Sequence, residues 1–131
     1  MNFVILDLEW NPSYSKKLKG FINEIIEFGA IKVNSDLEII DTFSALVRPQ
    51  IGKKLNEKIT TLTHITDEDV EDGCTYTHAL SGFRKFLGDS VLMTWGITDI
   101  YVLMENTKYF LQDDRLSFIC LLYTSPSPRD A

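Results

Sequence analysis

The apolar residues of the first third of the chain fall into three runs that predict β-strands. Residues 2–10 form an apolar, β-rich run, and Pro12 is expected to end it because proline cannot donate to a sheet ladder. Residues 24–33 and 37–47 form the second and third runs, and turn-forming residues at 34–36 separate them. Three strands joined by short links predict an antiparallel meander.

Helical spacing replaces strand spacing in the rest of the chain. Residues 56–62 predict a short helix, and Thr66 followed by acidic residues predicts the start of a second. Apolar residues at helical spacing from residue 77 predict a helix that Gly88 stops, and a further helix carries apolar positions from Ile100 to Leu111. Short apolar runs at 91–95 and 116–122 predict two more strands. The order β-β-β-α-β-α-β predicts a three-layer α/β/α domain with a mixed five-stranded sheet.

Composition narrows the possible functions. The 131 residues suffice for one domain, and the net charge of −6 argues against binding nucleic acid through a broad basic face. An enzyme that holds nucleic acid at a metal site is still allowed, because carboxylates are needed to bind the cations.

No apolar run reaches the ~20 residues of a membrane span, so we expect no membrane partner. The start of the chain lacks a signal peptide, and Cys74 and Cys120 read as reduced thiols, so we expect a cytoplasmic protein.

Two carboxylates lie two residues apart in the first predicted strand. Asp7 and Glu9 therefore point to one face, while Leu6 and Leu8 point to the other and can pack in the core. Buried charge is costly unless it is paired or binds a cation. One interpretation is a strand end where both acids meet water or a lysine. The other is a divalent-metal site.

A third carboxylate follows the strand predicted at residues 91–95. That strand ends at Trp95, Gly96 turns the chain, and Asp99 opens a helix. An acid there can simply be favoured by the helix dipole. In a parallel β-α-β arrangement, however, strand ends and the following helix starts line the functional crevice, so Asp99 could approach the first two acids.

These residues together resemble a known enzyme family. Asp7-x-Glu9 looks like the first motif of DnaQ-like exonucleases of the DEDD superfamily (DEDDh type), and Trp95-Gly-x-x-Asp99-x-x-x-Leu103 looks like the second. The segments between them also match the family pattern, and the similarity covers about residues 2–119; the matching segments are 24–31, 43–49 and 62–66. The branch it resembles most is that of KapD-like and small-RNA or histone-mRNA trimming 3′→5′ exonucleases, which have a ribonuclease-H-like fold.

The resemblance implies a chemistry for each motif. Asp7, Glu9 and Asp99 would bind two Mg²⁺ or Mn²⁺ ions, with Asp7 touching both, and the enzyme would release nucleoside 5′-monophosphates from the 3′ end of single-stranded RNA or DNA.

The resemblance also implies contacts to the 3′-terminal nucleotide. Leu8 and Trp10 would flank that nucleotide, while Leu62 and Thr63 would contact its base or sugar. Trp10 could stack on a base, or it could equally be part of the core.

The chain departs from the family pattern at two places. His64 stands where the family often has glycine, so the loop there is expected to differ. The His and Asp of the family's third motif have no counterpart after Phe118. We therefore expect an incomplete exonuclease domain over residues 1–120 without its last helix, nearly inactive and marginally stable, followed by a non-native tail over residues 121–131 that resembles an adaptor-derived translation.

Two other functions stay open at this stage. One is a catalytically dead domain kept for binding nucleic acid or protein, which would need no metal at Asp7 and Glu9. The other is a nuclease of a different ribonuclease-H-like group that cuts internally, which a circular substrate would reveal.

Overall fold

A four-stranded mixed sheet forms the centre of the fold in the computed structural model, which describes residues 1–112. The sheet has the order β3-β2-β1-β4, with β1 antiparallel to β2 and parallel to β4. The meander and the mixed α/β fold are confirmed, but the described sheet has four strands rather than five, because the predicted strand at 116–122 lies outside the described residues. The elements are β1 Phe3–Ser15, β2 Gly20–Val33, β3 Ile39–Leu46, α1 Glu57–Thr63, α2 Asp67–Glu71, α3 Tyr76–Leu87, β4 Val91–Met93 and α4 Thr98–Leu111.

The first hairpin is longer than the sequence predicts. β1 continues through Pro12 to Ser15, where a stop at Pro12 was expected, and β2 begins at Gly20 instead of Glu24. The reason is that β4 pairs only with Phe3–Ile5. Pro12 therefore lies where β1 is an edge strand, a position at which a proline is tolerated.

The main core lies on one face of the sheet, beneath α3 and α4. Buried residues from β1 and β2 pack there against buried residues of both helices. Tyr76 is fully buried, and its hydroxyl hydrogen-bonds Thr107 at 2.8 Å, which joins α3 to α4. The members that carry this packing are Val4, Leu6, Leu8, Phe28, Ala79, Leu80, Phe83, Ile100, Val102 and Leu103.

A β-bulge in β2 places a second, smaller core on the opposite face. Glu9 pairs with Glu27 and Trp10 pairs with Ile25, so Ile26 is an extra residue in β2. Ile26 packs in a cluster with Leu46, and Leu46 pairs across the sheet with Glu27. Cross-strand partners share a face, so this cluster lies on the face that carries Glu9. Its other members come from the loop before α1, from α1, from the link between α1 and α2, and from α2, namely Leu55, Ile59, Ile65 and Val70.

No helix within residues 1–112 is long and apolar enough to cross a membrane. Cys74 is a free thiol whose Sγ donates to the Leu46 carbonyl at 3.5 Å, and Cys120 lies outside the described residues.

Candidate active site

The two acids of β1 lie on the face of the sheet opposite the main core. Asp7 is exposed and Glu9 is half-buried, whereas Leu6 and Leu8 are buried on the other side. The strand alternation predicted for these residues is therefore confirmed. Both acids lie in the middle of β1, which runs on to Ser15, so they are not at a strand end, although Asp7 does meet water.

The third acid reaches β1 from a distant part of the chain. β4 runs parallel to β1, and the chain turns after it into α4, whose first turn contains Asp99. One carboxylate oxygen of Asp99 accepts a hydrogen bond of 3.1 Å from the backbone N–H of Leu8. Leu8 is the residue between Asp7 and Glu9, so the fold places the Asp99 carboxylate beside the segment of β1 that carries the other two predicted acids.

Electrostatic coupling shows that these carboxylates interact. The pKa of Glu9 is raised, first by its partial burial and then by the charges of Asp7, Glu27 and Asp99. The pKa of Glu27 is also raised, by burial and then by Asp7. The cluster therefore has a fourth member, Glu27, which lies directly across from Glu9 in the sheet register.

Glu27 was not predicted to be part of the site. The available signal was a single acid within the apolar run Ile25-Ile26-Glu27-Phe28. Only the pairing of β2 with β1 shows that this acid faces Glu9, and like charges directly opposite each other destabilise a sheet.

The donor set suits a hard divalent cation. Its ligands would all be carboxylate oxygens, which Mg²⁺ and Mn²⁺ prefer. The mutual repulsion that raises the pKa of Glu9 is the kind of energy that a bound cation relieves. Within residues 1–112, no three His, Cys, Asp or Glu side chains already stand in the geometry of metal ligands. The Asp99 carboxylate instead accepts a hydrogen bond from the Leu8 N–H.

The four residues predicted to contact a nucleotide have different environments. The Leu8 side chain is 3% exposed and belongs to the main core, so it has no surface to offer a nucleotide. Trp10 is half-buried and packs against that core. Leu62 is 77% exposed on α1. Thr63 ends α1, where its hydroxyl donates to the Ile59 carbonyl at 2.7 Å.

His64 has a backbone conformation that explains the glycine of the family pattern. It caps the C-terminus of α1 with φ of 62° and ψ of 12°, in the left-handed region that glycine adopts without strain. The helix ends in the usual way, with the His64 N–H donating to the Thr60 carbonyl. A glycine and a histidine can thus occupy the same turn.

A buried polar network fixes α1 relative to β1. Glu24 is 1% exposed, and its carboxylate accepts from the backbone N–H groups of Gln50, Ile51 and Gly52 at 2.8, 2.9 and 2.9 Å. It also accepts from the Ser13 hydroxyl at 2.7 Å.

Asn11 extends the same network to the helix itself. Its side chain donates to the Ser13 Oγ at 3.0 Å and accepts from the N–H of Asn56, the N-cap of α1, at 2.7 Å. Asn11 pairs with Glu24 in the sheet and lies two residues after Glu9. The loop and α1 are therefore anchored on the same face as the carboxylate cluster.

Comparison with known proteins agrees with this geometry. The exonuclease family model RNase_T matches residues 4–126. The chain is 30% identical over 111 residues to the probable 3′-5′ exonuclease KapD of Bacillus subtilis, covering 82% of this chain and 54% of KapD. It is 38% identical over 91 residues to the PolC-type DNA polymerase III of Clostridium perfringens, covering 70% of this chain and 6% of the polymerase.

Solved structures show the same relationship. The nuclease domain of 3′hExo, a DEDDh family member bound to rAMP, superposes with a TM-score of 0.71 at 26% identity, covering 85% of this chain and 60% of that domain. E. coli Exonuclease I in complex with a dT13 oligonucleotide shares the fold, with a TM-score of 0.70 at 14% identity, covering 95% of this chain and 27% of that one. The chain spans about half the length of KapD. With a family model that matches nearly its whole length and with the acids of both motifs brought together, the chain belongs to the exonuclease (RNase_T, DnaQ-like) family.

Proposed function

We propose that the protein is a divalent-metal-dependent 3′→5′ exonuclease that releases nucleoside 5′-monophosphates from single-stranded RNA or DNA. The observation that carries the proposal is the hydrogen bond from the Leu8 backbone N–H to Asp99, which puts the second-motif acid beside the segment of β1 that carries the two first-motif acids. The family supports a nuclease, and two relatives support the direction and the type of product: KapD is a probable 3′-5′ exonuclease, and the 3′hExo domain is bound to rAMP.

Asp7, Glu9 and Asp99 would hold the two ions. When bound, the ions neutralise charge on the scissile phosphate and make a water molecule more acidic. The chain's own contribution is to hold three carboxylates on rigid elements, two on β1 and one in the first turn of α4. Glu9 would act as a ligand in its ionised form, and a neighbouring cation would favour that form because it offsets the burial of the carboxylate and the charges of Asp7 and Glu27.

The residues of α1 would position the terminal nucleotide. Leu62 offers an exposed apolar surface, and Thr63 lies beside it at the end of the helix. The half-buried ring of Trp10 lies on the core face of β1, opposite the carboxylates, so its stacking on a base rests on the resemblance alone. Leu8 could take part only through its backbone, because its side chain is buried.

The third-motif histidine, which the resemblance implies as the general base, has no counterpart among the described residues. His64 caps α1, and His78 lies in the first turn of α3, which packs on the opposite face of the sheet from the carboxylates. These are the two histidines of the sequence, so the chain as given lacks the third-motif histidine. We also propose a cytoplasmic location, which rests on the cysteine content of the sequence alone.

The experiment uses single strands labelled at the 5′ end, as RNA and as DNA, with Mn²⁺ or Mg²⁺. In a domain completed by the third-motif His and Asp, we expect stepwise shortening from the 3′ end, release of mononucleotides and no digestion of a circular strand, whereas the chain as given should be nearly inactive. Asp7→Asn should abolish the reaction, while Asp89→Asn, which changes an exposed acid after α3, should not. Release of oligonucleotides or digestion of the circle would instead show an internal nuclease.

A catalytically dead binding domain is the second candidate. The observation that favours it is that the described acids do not yet stand in ligand geometry, and Asp99 is engaged by Leu8. Calorimetric titration with Mn²⁺ separates the two functions. An exonuclease should bind Mn²⁺ and lose that binding in Asp7→Asn, whereas a dead domain would bind an oligonucleotide without binding the metal.

A further inference from the structure

Four lysines from two separate segments line one cleft of about 580 Å³. Lys16 and Lys17 lie in the turn between β1 and β2, and Lys53 and Lys54 lie in the loop between β3 and α1. None of the residues that line this cleft, all within the described part of the chain, is Asp or Glu. In a protein with a net charge of −6, this is a local concentration of positive charge.

Both walls of the cleft are held in place by specific contacts. Lys17 lies over the ring of Tyr109 at 5.2 Å, and the Tyr109 hydroxyl hydrogen-bonds Ser15 at 3.0 Å. Ser15 Oγ also accepts from the N–H of Leu18, which fixes the turn. A charge cluster in a loop is usually only solvated, but here the turn that carries Lys16 and Lys17 is tied to α4.

The opposite wall is anchored by Glu24. Its carboxylate lies beneath the cleft and accepts from the N–H groups of residues 50–52, directly before Lys53 and Lys54. The negative charge of Glu24 is thus buried and engaged by hydrogen bonds, while the lysines that follow are exposed. The cleft therefore presents cations to solvent.

The cleft continues the carboxylate site along the same strand. Ser13, which lines the cleft, lies four residues after Glu9 and on the same face of β1. At about 3.3 Å per residue the separation is about 13 Å. Tyr14, which is half-exposed and packs edge-on against Phe21, adds an aromatic surface on which a base could stack.

We propose that this lysine cleft binds the phosphate backbone of a single-stranded nucleic acid a few nucleotides upstream of the 3′ end held at the carboxylate cluster. This inference rests on the proposed function. Cationic side chains beside aromatic rings are the combination that binds single strands without sequence preference. The carboxylate cluster repels phosphates in the absence of metal, so a separate cationic site would hold the strand in place.

The first test measures binding of a fluorescent oligothymidylate of about twelve nucleotides between about 50 and 200 mM KCl. Each neutralised phosphate of a single strand contributes about −0.7 to the slope of log K against log salt. Replacing all four lysines with glutamine should make the slope less steep by about 2.8, and the doubles Lys16→Gln/Lys17→Gln and Lys53→Gln/Lys54→Gln by about 1.4 each.

A matched control makes the same charge change elsewhere. Lys32 lies over the Phe86 ring on the main-core face, and Lys85 lies on α3. The double Lys32→Gln/Lys85→Gln should leave the slope as it is in the unaltered protein. A slope that changes equally in the control and in the cleft doubles would overturn the proposal, as would no measurable binding by the unaltered protein.

The second test uses the chain extended by a third motif, because the chain as given is expected to be nearly inactive, and compares hydrolysis of the oligonucleotide with that of a dinucleotide, which is too short to reach the cleft. The four-lysine variant should lose kcat/KM on the long substrate and keep it on the dinucleotide. An equal loss on both would overturn the proposal, since it would indicate general damage. The unaltered protein could cleave neither substrate while the lysine replacements still change the slope of log K against log salt. The exonuclease assignment would then be wrong, and the proposal that the cleft binds nucleic acid would be supported.

Discussion

Removal of the Glu24 carboxylate tests whether one buried acid anchors the loop before α1. Glu24→Ala deletes an acceptor of four hydrogen bonds of 2.7–2.9 Å, from three backbone N–H groups and one hydroxyl. It also leaves a gap in a site that is 1% exposed. We expect a loss of stability and a local loosening of residues 50–56.

The expected loss of stability can be estimated from the groups that donate hydrogen bonds to Glu24. A hydrogen bond to a charged group contributes about 1.5–3 kcal/mol, so four could reach about 6–12 kcal/mol. That upper figure overstates the cost, because Gln50 is exposed and Ile51 and Gly52 are half-buried, so water can replace the carboxylate at their N–H groups. We expect a decrease in the free energy of unfolding of about 2–4 kcal/mol, a large part of a typical total of ~5–15 kcal/mol.

The assay is urea denaturation followed by circular dichroism, with amide hydrogen exchange at residues 50–52. Glu24→Gln keeps one acceptor oxygen but turns an NH₂ group toward donors, so it should cost about half as much as Glu24→Ala. Glu71→Ala, which removes an exposed acid from α2, should change stability by no more than about 0.5 kcal/mol. If Glu24→Ala changes the free energy of unfolding no more than Glu71→Ala does, the Glu24 carboxylate does not anchor the loop before α1.

Three further predictions concern the site and its supports. The pKa of Glu9 is raised above its ordinary value of 4.5, so Glu9 should make the metal-free protein less stable as pH rises from about 4.5 through the raised pKa. Glu9→Gln should therefore flatten the pH dependence of the urea midpoint. A midpoint of the unaltered protein that rises over this range would contradict the prediction. Gly73→Ala would place a Cβ 2.7 Å from the Leu46 carbonyl oxygen, so thermal melting should show a loss of about 1–3 kcal/mol. Leu62→Ala should leave stability within about 0.5 kcal/mol and weaken binding of a nucleoside monophosphate in calorimetry, whereas the exposed Ile40→Ala should alter neither property.

The sequence predicts the parts of this site that depend on local geometry. Asp7 and Glu9 could be assigned to one face because strand alternation alone decides it. Asp99 could be placed near them because a helix that follows a parallel strand begins at the same edge of the sheet. Both inferences need only the identity of each element and the order of elements along the chain.

Long-range pairing decides the parts that the sequence could not predict. Pro12 was expected to end β1, but the strand continues past it. β4 pairs only with Phe3–Ile5, so β1 is an edge strand at Pro12, where a proline is tolerated. Glu24 and Glu27 look alike in the sequence, as acids at the start and in the middle of one apolar run. Glu24 anchors the loop before α1, whereas Glu27 faces Glu9. Both roles depend on which residues of β1 pair with these two glutamates.

The bulge at Ile26 explains how one strand performs both tasks on one face. In a regular strand, residues three apart point to opposite faces, so Glu24 and Glu27 could not both lie beside the acids of β1. The extra residue shifts the alternation, and Glu24 then pairs with Asn11 while Glu27 pairs with Glu9. Asn11 and Glu9 share a face of β1, so their partners do as well. The bulge thus places the anchor of α1 and the carboxylate cluster on the same surface, and it sends Ile26 into the core that holds α1 and α2. In this fold, a single irregular residue couples the position of α1, where the nucleotide-contacting residues are proposed, to that of the proposed metal ligands.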